Sequence, residues 1–183
     1  MARMALITGG CRSGKSRHGL RLAESAGSNR VYIATAPILD AEMEQRIARH
    51  WEERRGRGWD TIEAPLDLTG AFAQAAGYDV ILCDCLTLWV NNLMYTAAQR
   101  GRTLHEEHIV EHCRELITAA RRSGAFVVFV TNEVGMGIVP EDAASRRFRD
   151  LTGRCNQEMA AAVDEVILMV SGLALQLKGS RNA

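Results

Sequence analysis

Apolar residues recur along this chain in two rhythms. Short, nearly unbroken runs occupy "MALIT" (4–8), "RVYIATA" (30–36), "YDVILCD" (78–84) and "GAFVVFVTNEVG" (124–135). Their length and their β-branched and aromatic content suit strands buried on both faces. Pro37 stops the second run, and "WDTIEAP" reads as a shorter strand ending at Pro65. Other stretches repeat at helical spacing: "SRHGLRLAES" after the first run, "AEMEQRIARHWEERR" behind a candidate cap at Asp40, and "IVEHCRELITAARR". In the last of these Ile109, Cys113, Leu116, Ile117 and Ala120 share one stripe. An alanine-rich helix is expected over about 143–163, with a weak point at Gly153, and "DEVILMVSG" supplies the last strand. "TAAQRGRT" (96–103) reads as a flexible surface loop. Strands alternating with helices predict a three-layer α/β sandwich around a mostly parallel sheet. At roughly 100–200 residues per domain, 183 residues suit a single domain over 1–183.

Composition narrows the partners. Lys plus Arg number 22 and Asp plus Glu also 22, so no net charge draws the chain toward nucleic acid or an anionic membrane. The five cysteines, at 11, 83, 85, 113 and 155, are odd in number and form no CxxC pair, which argues against a disulfide framework and a structural zinc site. Cys83 and Cys85 flank Asp84 on an apolar strand, where a reduced thiol is a small hydrophobe; metal binding is the competing reading. The first apolar run is too brief for a signal peptide and no run approaches the roughly 20 residues of a membrane span, so a soluble cytoplasmic protein is expected.

The chemistry begins in "LITGGCRSGKSRH". Gly9, four residues (Gly10, Cys11, Arg12, Ser13), then Gly14, Lys15 and Ser16 fit a phosphate loop, placed directly between a strand and a helix. In such loops the backbone N–H groups and the helix N-terminus face phosphate oxygens, the lysine reaches the outer phosphates, and the hydroxyl holds Mg²⁺. Arg12 and Ser13 add donors. A Mg²⁺–nucleotide site also calls for a carboxylate at the end of a neighbouring strand, and Asp84 stands there; capping the following helix is its alternative role. His50 continues a stripe with Met43 and Ile47, as a packing residue would. Arg46 and Arg54, four residues to either side, disfavour its protonation and leave a neutral, nucleophilic imidazole beside two cations able to hold a polyphosphate.

"GGCRSGKSRH", "YIATAPILDAEMEQRIARH", "CDCLTLWVNNL", "VTNEVGMGIVPEDAASRRFRDLTGRCNQ" and "VDEVILMVSG" follow one another in an order that covers nearly the whole chain. Together they resemble the bifunctional adenosylcobinamide kinase/adenosylcobinamide-phosphate guanylyltransferases of cobalamin biosynthesis. The resemblance implies a RecA-like P-loop NTPase fold, a homo-oligomer, a trimer by that resemblance, and two reactions. ATP or GTP phosphorylates adenosylcobinamide; GTP then gives GMP to a histidine, releases pyrophosphate, and passes GMP to adenosylcobinamide phosphate. His50 falls at the nucleophile position. The resemblance also marks as nucleotide contacts Gly9 to Ser16, Ala34, Thr35 and Ala36, then Trp51, Glu52, Glu53 and Arg54, then Glu63 and Asp84. Ser16 and Asp84 are the expected metal ligands, and Asn132 and Glu133, ending the fourth long run, are expected substrate contacts.

Two other readings compete. A single-function P-loop small-molecule kinase would leave His50 as packing. A GTP switch would carry DxxG after the metal strand and NKxD after the fourth run, whereas Asp84 is followed by Cys85, Leu86 and Thr87, and Thr131 by Asn132, Glu133 and Val134.

Overall fold

The computed structural model describes residues 2–36, 52 and 54–179. Strands β1 (Met4–Gly9), β2 (Arg30–Ala34), β3 (Trp59–Glu63), β4 (Val80–Asp84), β5 (Phe126–Val130), β6 (Glu165–Val170) and β7 (Leu173–Lys178) form one sheet in the order β3-β2-β4-β5-β1-β6-β7. Every neighbouring pair is parallel except β6–β7. The described helical elements include α1 (Lys15–Ala26), α2 (Leu68–Gln74), α3 (Leu86–Gln99), α4 (Glu106–Arg122) and α5 (Ala143–Ala162), with a 3-10 turn at Val134–Met136.

The strand alternation divides the core. Ile7, Tyr32, Leu82, Val128, Val130 and Met169 face Leu20 and Ala23 of α1. Their neighbours Leu6, Ile33, Ile81, Cys83, Val127 and Phe129 pack with residues of α2 to α5, among them Phe72, Trp89, Ile109, Leu116 and Leu151. Helices therefore cover both faces, as an all-parallel arrangement of apolar strands requires. At about 25 cal/mol per Å² of apolar surface, such two-sided burial supplies the dominant stabilising term.

Several expectations are corrected. β6 is not the last strand: Ser171 and Gly172, both at positive φ (50° and 83°), turn the chain back into β7. A two-residue loop with both φ values positive matches the twist of an antiparallel hairpin. The segment 96–103 is not all loop, because α3 continues through Gln99 before turning at Arg100. Gly153 does not interrupt α5, which runs unbroken from a side-chain cap at Asp142. The fourth run is strand only to Val130, so Asn132 and Glu133 lie just past the strand end. Of the helix expected after Asp40, residues 40–51 and 53, His50 and Trp51 included, lie outside the described residues, while Glu52 and Arg54 are helical.

No helix among the described residues is long and apolar enough to cross a membrane.

Candidate functional site

The C-terminal ends of β1 to β5 lie along one edge of the sheet, and parallel pairing sets Ala34 level with both Glu63 and Asp84. This is the edge at which open α/β sheets take ligands. Gly9 ends β1 there with φ 151°, and a Cβ on it would stand 2.5 Å from the Met169 carbonyl oxygen, so only glycine lets the chain leave the sheet at this point. Gly14, at φ 95°, starts α1 in the left-handed region. Between them the Ser13 amide donates to the Gly10 carbonyl (3.3 Å), and the Gly172 amide donates to the Ser13 carbonyl (3.0 Å). The β6–β7 hairpin thus buttresses the loop. The buried Ser13 hydroxyl has no hydrogen-bond partner among the described residues. Lys15 is buried and its Nζ donates to the Gly10 carbonyl (2.9 Å), folding across the loop it belongs to. Cys11 is exposed, Arg12 takes φ 55°, and Ser16 sits in the first turn of α1.

Asp84 ends β4, and Cys85, not Asp84, occupies the cap position of α3 without a side-chain bond, so the capping role does not apply. Burial above all, and then the Asp84 charge, hold the Tyr32 phenol well above its ordinary pKa, so it stays a donor. Burial first and Asp84 second push the Cys85 thiol up to about 12 and raise Cys83 likewise. Both are protonated, apolar wall. Among the described residues no group of three or more His, Cys, Asp or Glu gathers as a metal cluster.

Arg54 stacks on the Tyr32 ring, its guanidinium carbon 3.6 Å from the ring centroid, and is itself buried. A cation over an aromatic face in a desolvated setting is worth about 2 kcal/mol or more. The contact holds Arg54 against β2. Glu52 is exposed and pairs with Arg55 (3.3 Å). Glu63 is exposed at the end of β3.

Thr35 departs from its expected role. Its hydroxyl donates to the Cys85 carbonyl (2.8 Å) and accepts from the Cys85 amide (2.7 Å), while its own amide donates to the Asp84 carbonyl (3.3 Å). Asn92 of α3 donates to its carbonyl (2.9 Å). Fully buried, Thr35 clamps the end of β2 to that of β4, which leaves Ala34 and Ala36 as the partly exposed members of this turn.

Asn132 and Glu133 form a corner between β4 and β1. The Asn132 amide donates to Thr87 Oγ1 (2.8 Å), and the Glu133 amide to the Gly9 carbonyl (3.2 Å). Asn156 of α5 accepts from Thr131 Oγ1 (2.7 Å) and donates to the Asn132 carbonyl (3.0 Å) and Glu133 Oε1 (3.3 Å). Thr8 also donates to Glu133 Oε1. Sequence reasoning did not single out Tyr32, Thr87, Asn92 or Asn156. The available sign was a polar residue inside an apolar stripe, as with Asn92 in "LTLWVNNLM".

The loop, with Ser16 in the first turn of α1, and Asp84, at the end of β4, lie along the same edge of the sheet. A family model described as CobU, cobinamide kinase / cobinamide phosphate guanyltransferase, matches residues 5–177. The bifunctional adenosylcobalamin biosynthesis protein CobU of Salmonella typhimurium is 46% identical over 182 residues, covering 96% of this chain and 99% of that one. The protein of the same name from Escherichia coli is 43% identical, again over 96% and 99%. The crystal structure of flagellar accessory protein FlaH from Methanocaldococcus jannaschii superposes with a TM-score of 0.55 at 13% identity, covering 97% of this chain and 79% of that chain, and shares the RecA-like P-loop fold alone.

Proposed function

Because the chain belongs to the cobinamide kinase / cobinamide phosphate guanyltransferase family, we propose that it carries out both reactions at the edge formed by β1 to β5. The observation that carries this reading is the convergence there of the phosphate loop, Asp84, Ala34 and Glu63 in a chain matched to the family over 5–177. The family match favours two reactions over a kinase alone.

In the first reaction the loop amides and Lys15 hold the phosphates of ATP or GTP while the hydroxyl of the aminopropanol arm of adenosylcobinamide attacks the γ-phosphorus. Little covalent chemistry is asked of the protein in such a step; positioning and charge neutralisation dominate. Lys15 reaches a phosphate by exchanging its bond to the Gly10 carbonyl for one to the ligand. The Ser13 hydroxyl, buried with no partner among the described residues, is a donor that a phosphate oxygen would satisfy.

In the second reaction an imidazole nitrogen of His50 attacks the α-phosphorus of GTP and pyrophosphate leaves. The phosphate of adenosylcobinamide phosphate then displaces the histidine to give adenosylcobinamide-GDP. The stacking of Arg54 on Tyr32 supports this reading, because it holds a residue four positions past His50 against β2, whose end lies on the phosphate-binding edge. By resemblance to the family, Trp51 to Arg54 and Glu63 contact the base and ribose, and the exposed Glu63 carboxylate can accept from guanine N–H groups.

Ser16 and Asp84 are hard oxygen donors, the chemistry Mg²⁺ selects, and two protein ligands suit an ion otherwise held by phosphates and water. When bound, the ion neutralises phosphate charge. We place the enzyme in the cytoplasm as a homo-oligomer, a trimer by resemblance to its family. Free cysteines support the first assignment. Large apolar side chains left exposed on β7 (Leu173, Leu175, Leu177) and at and after the 3-10 turn (Met136, Ile138, Val139) support the second.

The test is phosphoryl transfer from γ-labelled ATP to adenosylcobinamide. His50→Ala is expected to retain it and Lys15→Ala to lose it; equal loss in both would make His50 a structural residue.

A further inference from the structure

Glu133 has a geometry that the binding of a nucleotide does not use. Its backbone is fixed to the start of the phosphate loop by the amide bond to the Gly9 carbonyl (3.2 Å). Its side chain is fixed as well, and asymmetrically. Oε1 accepts from Thr8 Oγ1, on the last residue before the loop, and from Asn156 Nδ2 (3.3 Å) on α5. Oε2 has no hydrogen-bond partner among the described residues, and the residue is partly exposed. Asn156 is positioned in turn by Thr131 and the Asn132 carbonyl.

The sheet order gives this carboxylate its meaning. β5 lies between β4, which ends at Asp84, and β1, which ends in the loop, so Glu133 projects from the gap between the candidate metal ligand and the phosphate cradle. A carboxylate there would repel a phosphate placed directly on it, which argues against a phosphate contact. An acceptor with one oxygen anchored and the other unbonded, at a strand end between the loop and Asp84, suits a different group, the hydroxyl that attacks the γ-phosphorus.

We propose that Glu133 is the general base of the phosphoryl transfer. This rests on the kinase reading of the phosphate loop given above. Oε2 accepts the hydrogen of the acceptor alcohol as its oxygen bonds to the γ-phosphorus. The bond from that phosphorus to the β-bridging oxygen breaks, and the nucleoside diphosphate leaves with the electron pair. The proton on Glu133 then passes to water, which restores the carboxylate. Thr8 and Asn156 are positioning residues that keep Oε1 occupied and Oε2 aimed outward. Phosphate acceptors, already ionised, need no such base, so the guanylyl step does not call on Glu133.

Glu133→Gln tests the assignment, because the amide oxygen can still accept from Thr8 and Asn156 while the open position can no longer take a proton. General-base contributions run to about 10²–10⁴-fold. Glu133→Gln is therefore expected to lower kinase kcat by about 10²-fold or more. KM for ATP and for adenosylcobinamide, and the melting temperature, should stay near wild type. Glu133→Ala should lose at least as much kcat. A Glu133→Gln kcat within about threefold of wild type, or a loss carried by KM, would overturn the proposal. Lys15→Ala in the same assay separates the two ideas: a silent Glu133→Gln beside an inactive Lys15→Ala removes the base and leaves the kinase site standing.

Discussion

Thr35 shows how a residue expected at a ligand can serve by holding the site together. Its hydroxyl is the acceptor for the buried Cys85 amide. Thr35→Val keeps the shape and removes that acceptor, and a buried donor left unmatched costs about 1–3 kcal/mol. Urea unfolding should show a lower midpoint with an unchanged slope; an unchanged midpoint would mean that the clamp contributes nothing. Gly9 is constrained more severely. With the Met169 carbonyl 2.5 Å from where a Cβ would stand, Gly9→Ala must displace backbone on β1 or β6. Nucleotide affinity measured by titration calorimetry is expected to be lost, together with a drop in melting temperature.

At the scale of elements, the start of β1 is joined to the ends of α4 and α5 through Asp164. Its carboxylate accepts from the Met4 amide (2.7 Å) and from both terminal nitrogens of Arg121 (2.9 and 3.1 Å), while Arg121 also donates to the Ala162 carbonyl (2.6 Å). The Arg121 hydrogen bonds, chiefly, hold the Asp164 pKa below its ordinary value. A carboxyl lowered in the folded state adds stability that is present above the unfolded pKa, about 4, and is lost as pH falls through the folded one. Asp164→Asn should therefore melt below wild type at neutral pH, and the gap should close in acid; a gap constant with pH would refute the ionic contribution.

The parts of the fold legible in sequence were those whose cause is local. Unbroken apolar runs marked β1, β2, β4 and β5, and the spacing of Ile109, Cys113 and Leu116 marked α4, all three buried as expected. β7 escaped notice because "LALQLK" pairs only with β6 and leaves its leucines exposed, so it carries no core pattern; Ser171 and Gly172 were the turn that could have revealed it. The phosphate loop and Asp84 were legible because a strand end and a glycine pattern fix them in sequence. Tyr32, Thr87 and Asn156 were not, because their work is done across strands and helices far apart in the chain, where a tyrosine in a strand or an asparagine in a helix has no distinguishing mark.

For the whole molecule, the exposed leucines of β7 lie at alternate positions on an edge strand, the arrangement by which sheets invite a partner. Leu173→Glu combined with Leu177→Glu is expected to lower the mass found by light scattering from that of an oligomer to that of a monomer of 20.1 kDa. A native protein that is already monomeric would contradict the assembly. In the proposed function one scaffold performs two transfers, the second through a covalent nucleotide on His50. Incubation with GTP labelled at the α-phosphate, followed by denaturing electrophoresis, tests it most directly. An acid-labile label is expected on the wild-type chain and none on His50→Ala; an unlabelled wild type, or a His50→Ala chain labelled as strongly, would rule out guanylylation of His50.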